Sequence, residues 1–442
     1  MGSSLGTSAS LALDKSARVA FLHPDLGIGG AERLIVDCVL ELQSQGYRVD
    51  MYTAHHNTSR CFEETLQGGK RASWIHIHGD FLPRHLFGCL HAVLAYLRCL
   101  WAAMAIVLSG CAFDVVIVDQ VSVPILLLRW LTRSRILFYC HFPDLLLAKR
   151  TSALRALYRA PIDALEEVST GRAHAILVNS EFTAGVFART FKRLGHLKPA
   201  VLYPAVDVAH FLSVPPPPSL STAGSNAADP RTTSEEMAPD IPHGCHTFLS
   251  INRFERKKDL GLALRALALV KRTSGHPIHL VMAGGYDARL AENVEHLHEL
   301  KELARSEGIS SNVTFVPSFS DEQRAGLLAG CVAVLYTPQN EHFGIVPLEG
   351  MAAGRAVIAC NSGGPLESIV DKHTGFLCDP DPMSWADAMQ QLLNDSSLAT
   401  SMGIKARAHV QRKFSRVAMG QSLGKVVEKL VLHVGDAACK EE

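Results

Sequence analysis

The sequence predicts an α/β protein of two doubly wound parallel sheets. Short apolar runs alternate with helical patterns through the first half of the chain, the alternation stops at Phe211 in a proline- and serine-rich tract, and it restarts near Thr247 with the same rhythm. The length agrees: 442 residues exceed what one core organises, and two domains of roughly 200 residues each is the natural division.

Residues 1–16 hold too short and weak an apolar run for a signal peptide and are expected to be a disordered tail. In the first domain, 17–212, the stretches Arg18–His23, Arg48–Thr53, Trp74–His78, Asp114–Asp119, Ile136–His141 and Ala175–Asn179 read as strands, each apolar and each followed by a helical or turn pattern. The tract 213–243, with Pro215-Pro-Pro-Pro218, reads as a linker or an insertion within one. In the second domain, 244–415, strands are expected at Thr247–Ile251, Ile278–Ala283, Val313–Val316, Val332–Tyr336 and Ala356–Cys360. Helical patterns close the chain, and the segment 416–442 is expected to pack back on the first domain. Two such domains are expected to hold a ligand in a cleft where the carboxyl ends of their strands face each other.

The run Leu86–Leu108, interrupted only by His91 and Arg98, is long and apolar enough to span a bilayer. Spanning would separate the Arg18 and Arg48 strands from the Asp114 and Ile136 strands, although one sheet should hold all four. Arg98 near the bilayer centre would also cost about 2.5–3.5 kcal/mol. The run is therefore expected as a buried core helix or as a helix in the membrane interface, with Leu86, Leu94, Leu97 and Trp101 as its lipid-facing candidates. Leu145-Leu-Leu-Ala-Lys-Arg150, followed by Arg155 and Arg159, is an apolar and cationic pattern suited to an anionic membrane and equally to a solvated helix face. Leu145, Lys149 and Arg150 join the candidates.

Forty-three basic and 43 acidic residues cancel, which leaves no electrostatic footprint for nucleic acid and requires any anion site to be local. The 11 cysteines form no CxxC pair and no metal-ligand spacing with the 21 histidines, so they read as thiols of a reducing compartment and no metal site is expected.

The stretch Asn340-Glu-His-Phe-Gly-Ile-Val-Pro-Leu-Glu349 carries the strongest chemical pattern. Gly344 permits close backbone approach, and Pro347 suits the first turn of a helix, so Glu341 falls in a loop and Glu349 in the helix. The amides of Phe343, Gly344, Ile345 and Val346 then lie at the helix's positive end, where a diphosphate is favoured. The alternative is an ordinary loop-to-helix junction with two solvated carboxylates. Pro24-Asp-Leu-Gly-Ile-Gly29-Gly30-Ala-Glu-Arg33 is a glycine turn entering a helix, but Glu32 stands where a dinucleotide fingerprint has its third glycine. Asn252-Arg253-Phe-Glu-Arg-Lys-Lys258 sets two cations, Arg253 and Lys258, in a strand-end loop suited to a diphosphate. His141, in Phe138-Tyr-Cys-His-Phe-Pro-Asp144, ends a strand where it can meet a sugar hydroxyl or be satisfied by backbone. Gly284-Gly285 and Ser362-Gly363-Gly364-Pro365 are further strand-end glycine turns suited to lining the same cleft, with Gly284 and Gly285 as donor-binding candidates, or are plain turns. Asp379 and Asp381 imitate an acidic metal pair, but their flanking prolines favour a plain turn.

In this order, these elements resemble the large family of retaining glycosyltransferases with the GT-B fold, two Rossmann-like domains and a Glu-x7-Glu motif. Phe21–Arg33, Tyr139–Leu147, Ser250–Lys258 and Asn340–Glu349 are similar to the eukaryotic branch that adds alpha-1,3 and alpha-1,6 mannose during dolichol-linked oligosaccharide assembly. The resemblance implies GDP-mannose as donor, mannosyl-chitobiosyl diphosphodolichol as acceptor, no cofactor, the cytosolic face of the endoplasmic reticulum membrane, and other mannosyltransferases of the pathway as candidate partners. It also implies roles: Glu341 on the mannose hydroxyls, Glu349 on the ribose, Arg253 and Lys258 on the diphosphate, Gly29-Gly30 at the donor phosphates, and His141 at the transferred sugar. Asp259 departs from the glycine common in the broader family. Two alternatives stay open: a nucleotide-sugar epimerase of similar architecture, separated by transfer to an added acceptor, and a noncatalytic sugar-nucleotide-binding scaffold, recognised by binding without turnover.

Overall fold

The computed structural model describes residues 17–86, 90–148, 152–212, 214, 242 and 244–438. They form two compact units: residues 17–178, 186–200 and 420–438 make one, and 179–185 with 201–419 make the other. The expected tail 1–16, most of the tract 213–243, and the membrane candidates Lys149 and Arg150 lie outside the described residues.

In the first unit the strands are β1 (Arg18–His23), β2 (Arg48–Thr53), β3 (Leu66–Gln67), β4 (Lys70–Arg71), β5 (Ile75–Ile77), β6 (Val115–Asp119), β7 (Arg135–Cys140), β8 (Ala175–Val178) and β9 (Ala200–Val201). All but β3 and β4, which make a separate hairpin, join one sheet in the order β5-β2-β1-β6-β7-β8-β9. β1 pairs in parallel with β2 and β6, and β7 with β6 and β8. These central strands are buried on both faces, which is why they read as unbroken apolar runs rather than alternating ones. β1, β6 and β7 are neighbours, so their ends at His23, Asp119 and Cys140 lie side by side. His141 follows β7 directly rather than ending it.

The helix His91–Leu108 resolves the question of the apolar run. Its Leu94, Arg98, Cys99, Ala102, Ala103 and Ile106 are buried, whereas Leu97, Trp101 and Leu108 are 46%, 50% and 76% exposed. It is thus a core helix along one stripe and an open apolar surface along another. Leu94 is corrected from lipid-facing to core, because it shares the buried stripe with Arg98 and Ala102. Leu86 is exposed, Leu145 only half-buried. Arg159 is likewise no free surface cation: it is buried and paired with Asp144 and Asp163, each at 2.8 Å.

The second unit has β10 (His246–Ile251), β11 (Ile278–Gly284), β12 (Val313–Pro317), β13 (Ala333–Tyr336), β14 (Ala356–Cys360) and β15 (Gly375–Cys378), in the order β12-β11-β10-β13-β14-β15. Side chains alternate between two cores. Phe248, Leu280, Leu335 and Ile358 pack with Trp385 on one face; Leu249, Val281, Val334 and Val357 pack with Phe414 on the other. β15 went unforeseen because its four residues begin with a glycine, and that glycine is needed: a Cβ on Gly375 would meet the Val357 carbonyl.

Residues 201–212, expected in the first domain, belong to the second unit. Tyr203 stacks on Phe343 and meets Phe414 edge-on, while Val206, Val208 and Phe211 enter the same core. From Gly420 onward the helix Arg416–Ala438 belongs to the first unit, where Gly420 and Gly424 lie against Glu41 and Gln45. Asp381 caps the helix Pro382–Asn394 through the Ser384 amide, and Asp379 accepts from Asn361, so both serve the turn.

Candidate functional site

In the first unit, functional side chains gather at the carboxyl ends of β1, β6 and β7. Asp119 lies between two histidines: its Oδ2 is 2.7 Å from His23 Nδ1 and its Oδ1 is 2.8 Å from His141 Nε2. His23 and Asp119 are each 1% exposed. Burial opposes a charge on His23, but hydrogen bonding to Asp119 and Glu32 prevails and pushes its pKa up to about 9. For Asp119, burial would raise the pKa; the partners His141 and His23 outweigh it and hold the carboxyl below its usual range. Glu32 also lies below its usual range, since its bond with His23 overcomes desolvation.

The glycine turn leads into the helix Gly30–Ser44. At Gly29 the Glu32 carboxylate fills the space a Cβ would take; at Gly30 that space is open. Gly30 leaves open space at the turn, whereas Gly29 is small to admit Glu32. This explains why Glu32 replaces the fingerprint glycine: it reaches back toward His23, 3.9 Å away.

In the second unit the loop after β13 and the loop after β10 meet. Lys258 Nζ lies 2.5 Å from Glu341 Oε1, and the Lys258 carbonyl accepts from Thr337 Oγ1. Lys258 is buried. Arg253 is 60% exposed and pairs with Glu255 at 2.7 Å. Asp259 takes the left-handed conformation, φ 47°, that the family's glycine adopts freely, and its carboxylate accepts from Gln339.

Gly344, with φ 83°, caps the helix Ile345–Ala352, and a Cβ there would meet the Tyr336 ring. Pro347 occupies the first turn as expected, and the leading amides of Ile345 and Val346 have no helical acceptor. Glu349 projects from this helix to Arg324, Oε1 to Nη1 2.6 Å, while its buried Oε2 has no partner among the described residues. Burial raises Glu349 above the usual carboxylate range, against the pull of Arg324.

Two glycine turns serve the protein rather than open space. The Cβ position of Gly284 is taken by the Asn252 carbonyl and that of Gly285 is crowded by the Arg253 stem, so both glycines serve loop-to-loop packing. Gly363 and Gly364 press on the backbone of Glu341 and Phe343, and the Gly364 amide donates to the Glu341 carbonyl at 2.9 Å.

Sequence reasoning singled out His141, Glu341, Glu349, Arg253 and Lys258 but not Asp119 and His23, which adjoin His141, nor Arg324, which pairs with Glu349. A lone carboxylate closing the apolar strand Val115–Asp119 was a usable signal. Arg324, in the helix Asp321–Ala329, carried none, since it follows the polar run Asp321-Glu322-Gln323 and belongs to no motif.

The chain matches the family model "Glycosyl transferases group 1" over residues 233–409 and "Glycosyltransferase Family 4" over residues 28–210. It is 48% identical over 427 residues to the alpha-1,3/1,6-mannosyltransferase ALG2 of Mus musculus, covering 94% of this chain and 97% of that one. The Homo sapiens protein of the same name is 48% identical over 423 residues, 94% of this chain and 96% of its own. Among solved structures, a sucrose-phosphate synthase from Thermosynechococcus elongatus superposes with TM-score 0.68 at 19% identity, over 94% of this chain and 100% of its own, and shows the fold. Two parallel-sheet Rossmann-like units, a Glu341/Glu349 motif on a helix start and near-full-length similarity converge: the chain is a glycosyltransferase of the GT-B fold and belongs to the alpha-1,3/1,6-mannosyltransferase family.

Proposed function

We propose that the chain transfers mannose from GDP-mannose to mannosyl-chitobiosyl diphosphodolichol, forming an alpha-1,3 and then an alpha-1,6 linkage with retention. The observation that carries the donor half is Glu349. Its buried Oε2 has no protein partner among the described residues, a costly state that a ribose hydroxyl relieves. Glu341, held by Lys258, takes the mannose hydroxyls; Lys258 and the exposed Arg253 face the diphosphate with the amides of Phe343, Gly344, Ile345 and Val346. Gly30 offers backbone access to a donor phosphate, and His141 bonds a hydroxyl of the transferred sugar.

GDP is a good leaving group, so the main task is to stabilise charge developing on the departing phosphate, which fixed cations and helix amides do without a cofactor. Glu341 and Glu349 are engaged by different cations on different elements. With Glu341 assigned to the sugar and Glu349 to the ribose, the two carboxylates do not share the single reacting carbon that the carboxylate pair of a double-displacement glycosidase flanks, about 5–5.5 Å apart. Same-face attack by the acceptor hydroxyl, assisted by the leaving phosphate, is the mechanism proposed; a trapped mannosyl adduct on Glu341 overturns it.

The open apolar stripe Leu97, Trp101 and Leu108 supports residence on the endoplasmic reticulum membrane, with the catalytic units in the cytosol. Calorimetric titration tests the donor. GDP-mannose should bind, UDP-glucose should bind far more weakly, and Glu349→Ala should weaken GDP-mannose about tenfold or more. Equal binding of both nucleotides, or an unaffected Glu349→Ala, contradicts the assignment.

A further inference from the structure

Hydrogen-bond accounting at Asp119 fixes where the protons lie. His23 Nε2 is 3.1 Å from the Asp25 carbonyl oxygen, which can only accept, and His23 Nδ1 faces the Asp119 carboxyl group. The Nε2–H that Asp25 needs leaves Nδ1 either protonated or bare. With Glu32 on one side and Asp119 on the other, two carboxylates surround the ring, so both nitrogens carry hydrogen and His23 is a buried imidazolium. Asp119 is then a carboxylate that accepts on both oxygens. Its Oδ1 takes a hydrogen from His141 Nε2 at 2.8 Å.

In the singly protonated ring that this bond selects, the remaining nitrogen of His141, Nδ1, carries the lone pair. His141 is also the open end of this chain of groups: its side chain is 22% exposed, whereas those of His23 and Asp119 are shut in. The ring is further oriented by Tyr139, whose centroid is 4.7 Å away. Glu32 continues the chain to the glycine turn, so one connected set of side chains joins that turn to His141.

We infer that Asp119 and His23 are positioning residues that lock His141 in its Nε2–H tautomer, so that Nδ1 accepts a hydrogen bond from a sugar hydroxyl. This rests on the reading of His141 as the substrate-facing residue. A ring locked this way distinguishes a hydroxyl, which donates, from groups that only accept.

The test is nitrogen-15 magnetic resonance of the full-length protein labelled at histidine, with the His141 signal identified by its loss in His141→Gln. At neutral pH the wild type should show His141 protonated at Nε2 and bare at Nδ1. In Asp119→Asn the amide can turn its NH2 toward His141 and favour the opposite tautomer. There kcat should fall roughly a hundredfold or more, with donor KM little changed and a cooperative melt retained. Protonation of His141 at Nδ1 in the wild type overturns the inference, and this result needs no variant to fold. Asp119→Asn keeping both tautomer and kcat also overturns it. Full turnover by His141→Gln would instead sink the underlying reading of His141, whatever the ring signals show.

Discussion

Lys258 and Glu341 act as one charged pair, so neither can be removed without stranding the other. Lys258→Ala takes away a charged hydrogen bond worth about 1.5–3 kcal/mol, and donor kcat/KM should fall tenfold to a few hundredfold. Steady-state kinetics with the fold checked by circular dichroism decide this. An unchanged value removes Lys258 from the donor site.

His23 gives a pH signature. Its pKa is near 9 in the folded chain against an ordinary 6.5, so the folded state binds this proton more tightly. The stabilisation is fully present below about pH 6.5 and is lost as pH rises through 9, at about 1.4 kcal/mol for each pH unit crossed between the two values. Melting temperature should therefore decline from pH 6.5 to 9.5 and decline less in His23→Gln. Equal slopes refute the assignment. At this scale the sequence was legible where residue type sits in a recognisable pattern, as with Glu341 and Glu349. It was silent where partners come from distant segments: Asp119 lies 96 residues from His23, and Arg324 reaches Glu349 from another helix.

Elements were legible through their periodicity, and their ends through glycine and proline. The loop from Asn340 to Gly344 shows what pattern reading cannot supply. Asn340 and Gly344 both take positive φ, 53° and 83°, and Gly363 and Gly364 pack under the backbone between them. Glycines read as ligand-lining are, at Gly284, Gly363 and Gly364, the means by which loops on adjacent strands touch. Gly344→Ala should cost about 1–2 kcal/mol in backbone conformation, shift the loop off Tyr336, and raise donor KM. Asp259→Gly should be neutral or stabilising by about 1 kcal/mol while activity persists, because it removes a side chain from the left-handed region. Chemical denaturation of the two variants, run beside donor kinetics, reads both effects.

For the whole molecule, two sheets of parallel strands were predictable from a doubled rhythm, but the course of the chain between them was not. Residues 201–212 belong to a unit that linear reading did not give them, because an apolar segment shows that it will be buried but not in which of two cores. The helix His91–Leu108 divides its surface between core and exterior, which mean hydropathy cannot resolve. Leu97→Glu with Trp101→Glu should leave the melting curve intact and weaken sedimentation with anionic phospholipid vesicles, whereas Leu94→Glu should unfold the first unit. Vesicle binding that survives the double change removes this stripe from the membrane contact.

The proposed activity is tested most directly by transfer itself: the purified chain in lipid with GDP-mannose and a synthetic mannosyl-chitobiosyl diphosphate lipid, followed by product mass and linkage over time. One hexose should be added in alpha-1,3 linkage, then a second in alpha-1,6 linkage, and neither with Glu341→Ala. An unextended acceptor, despite donor binding, would contradict it.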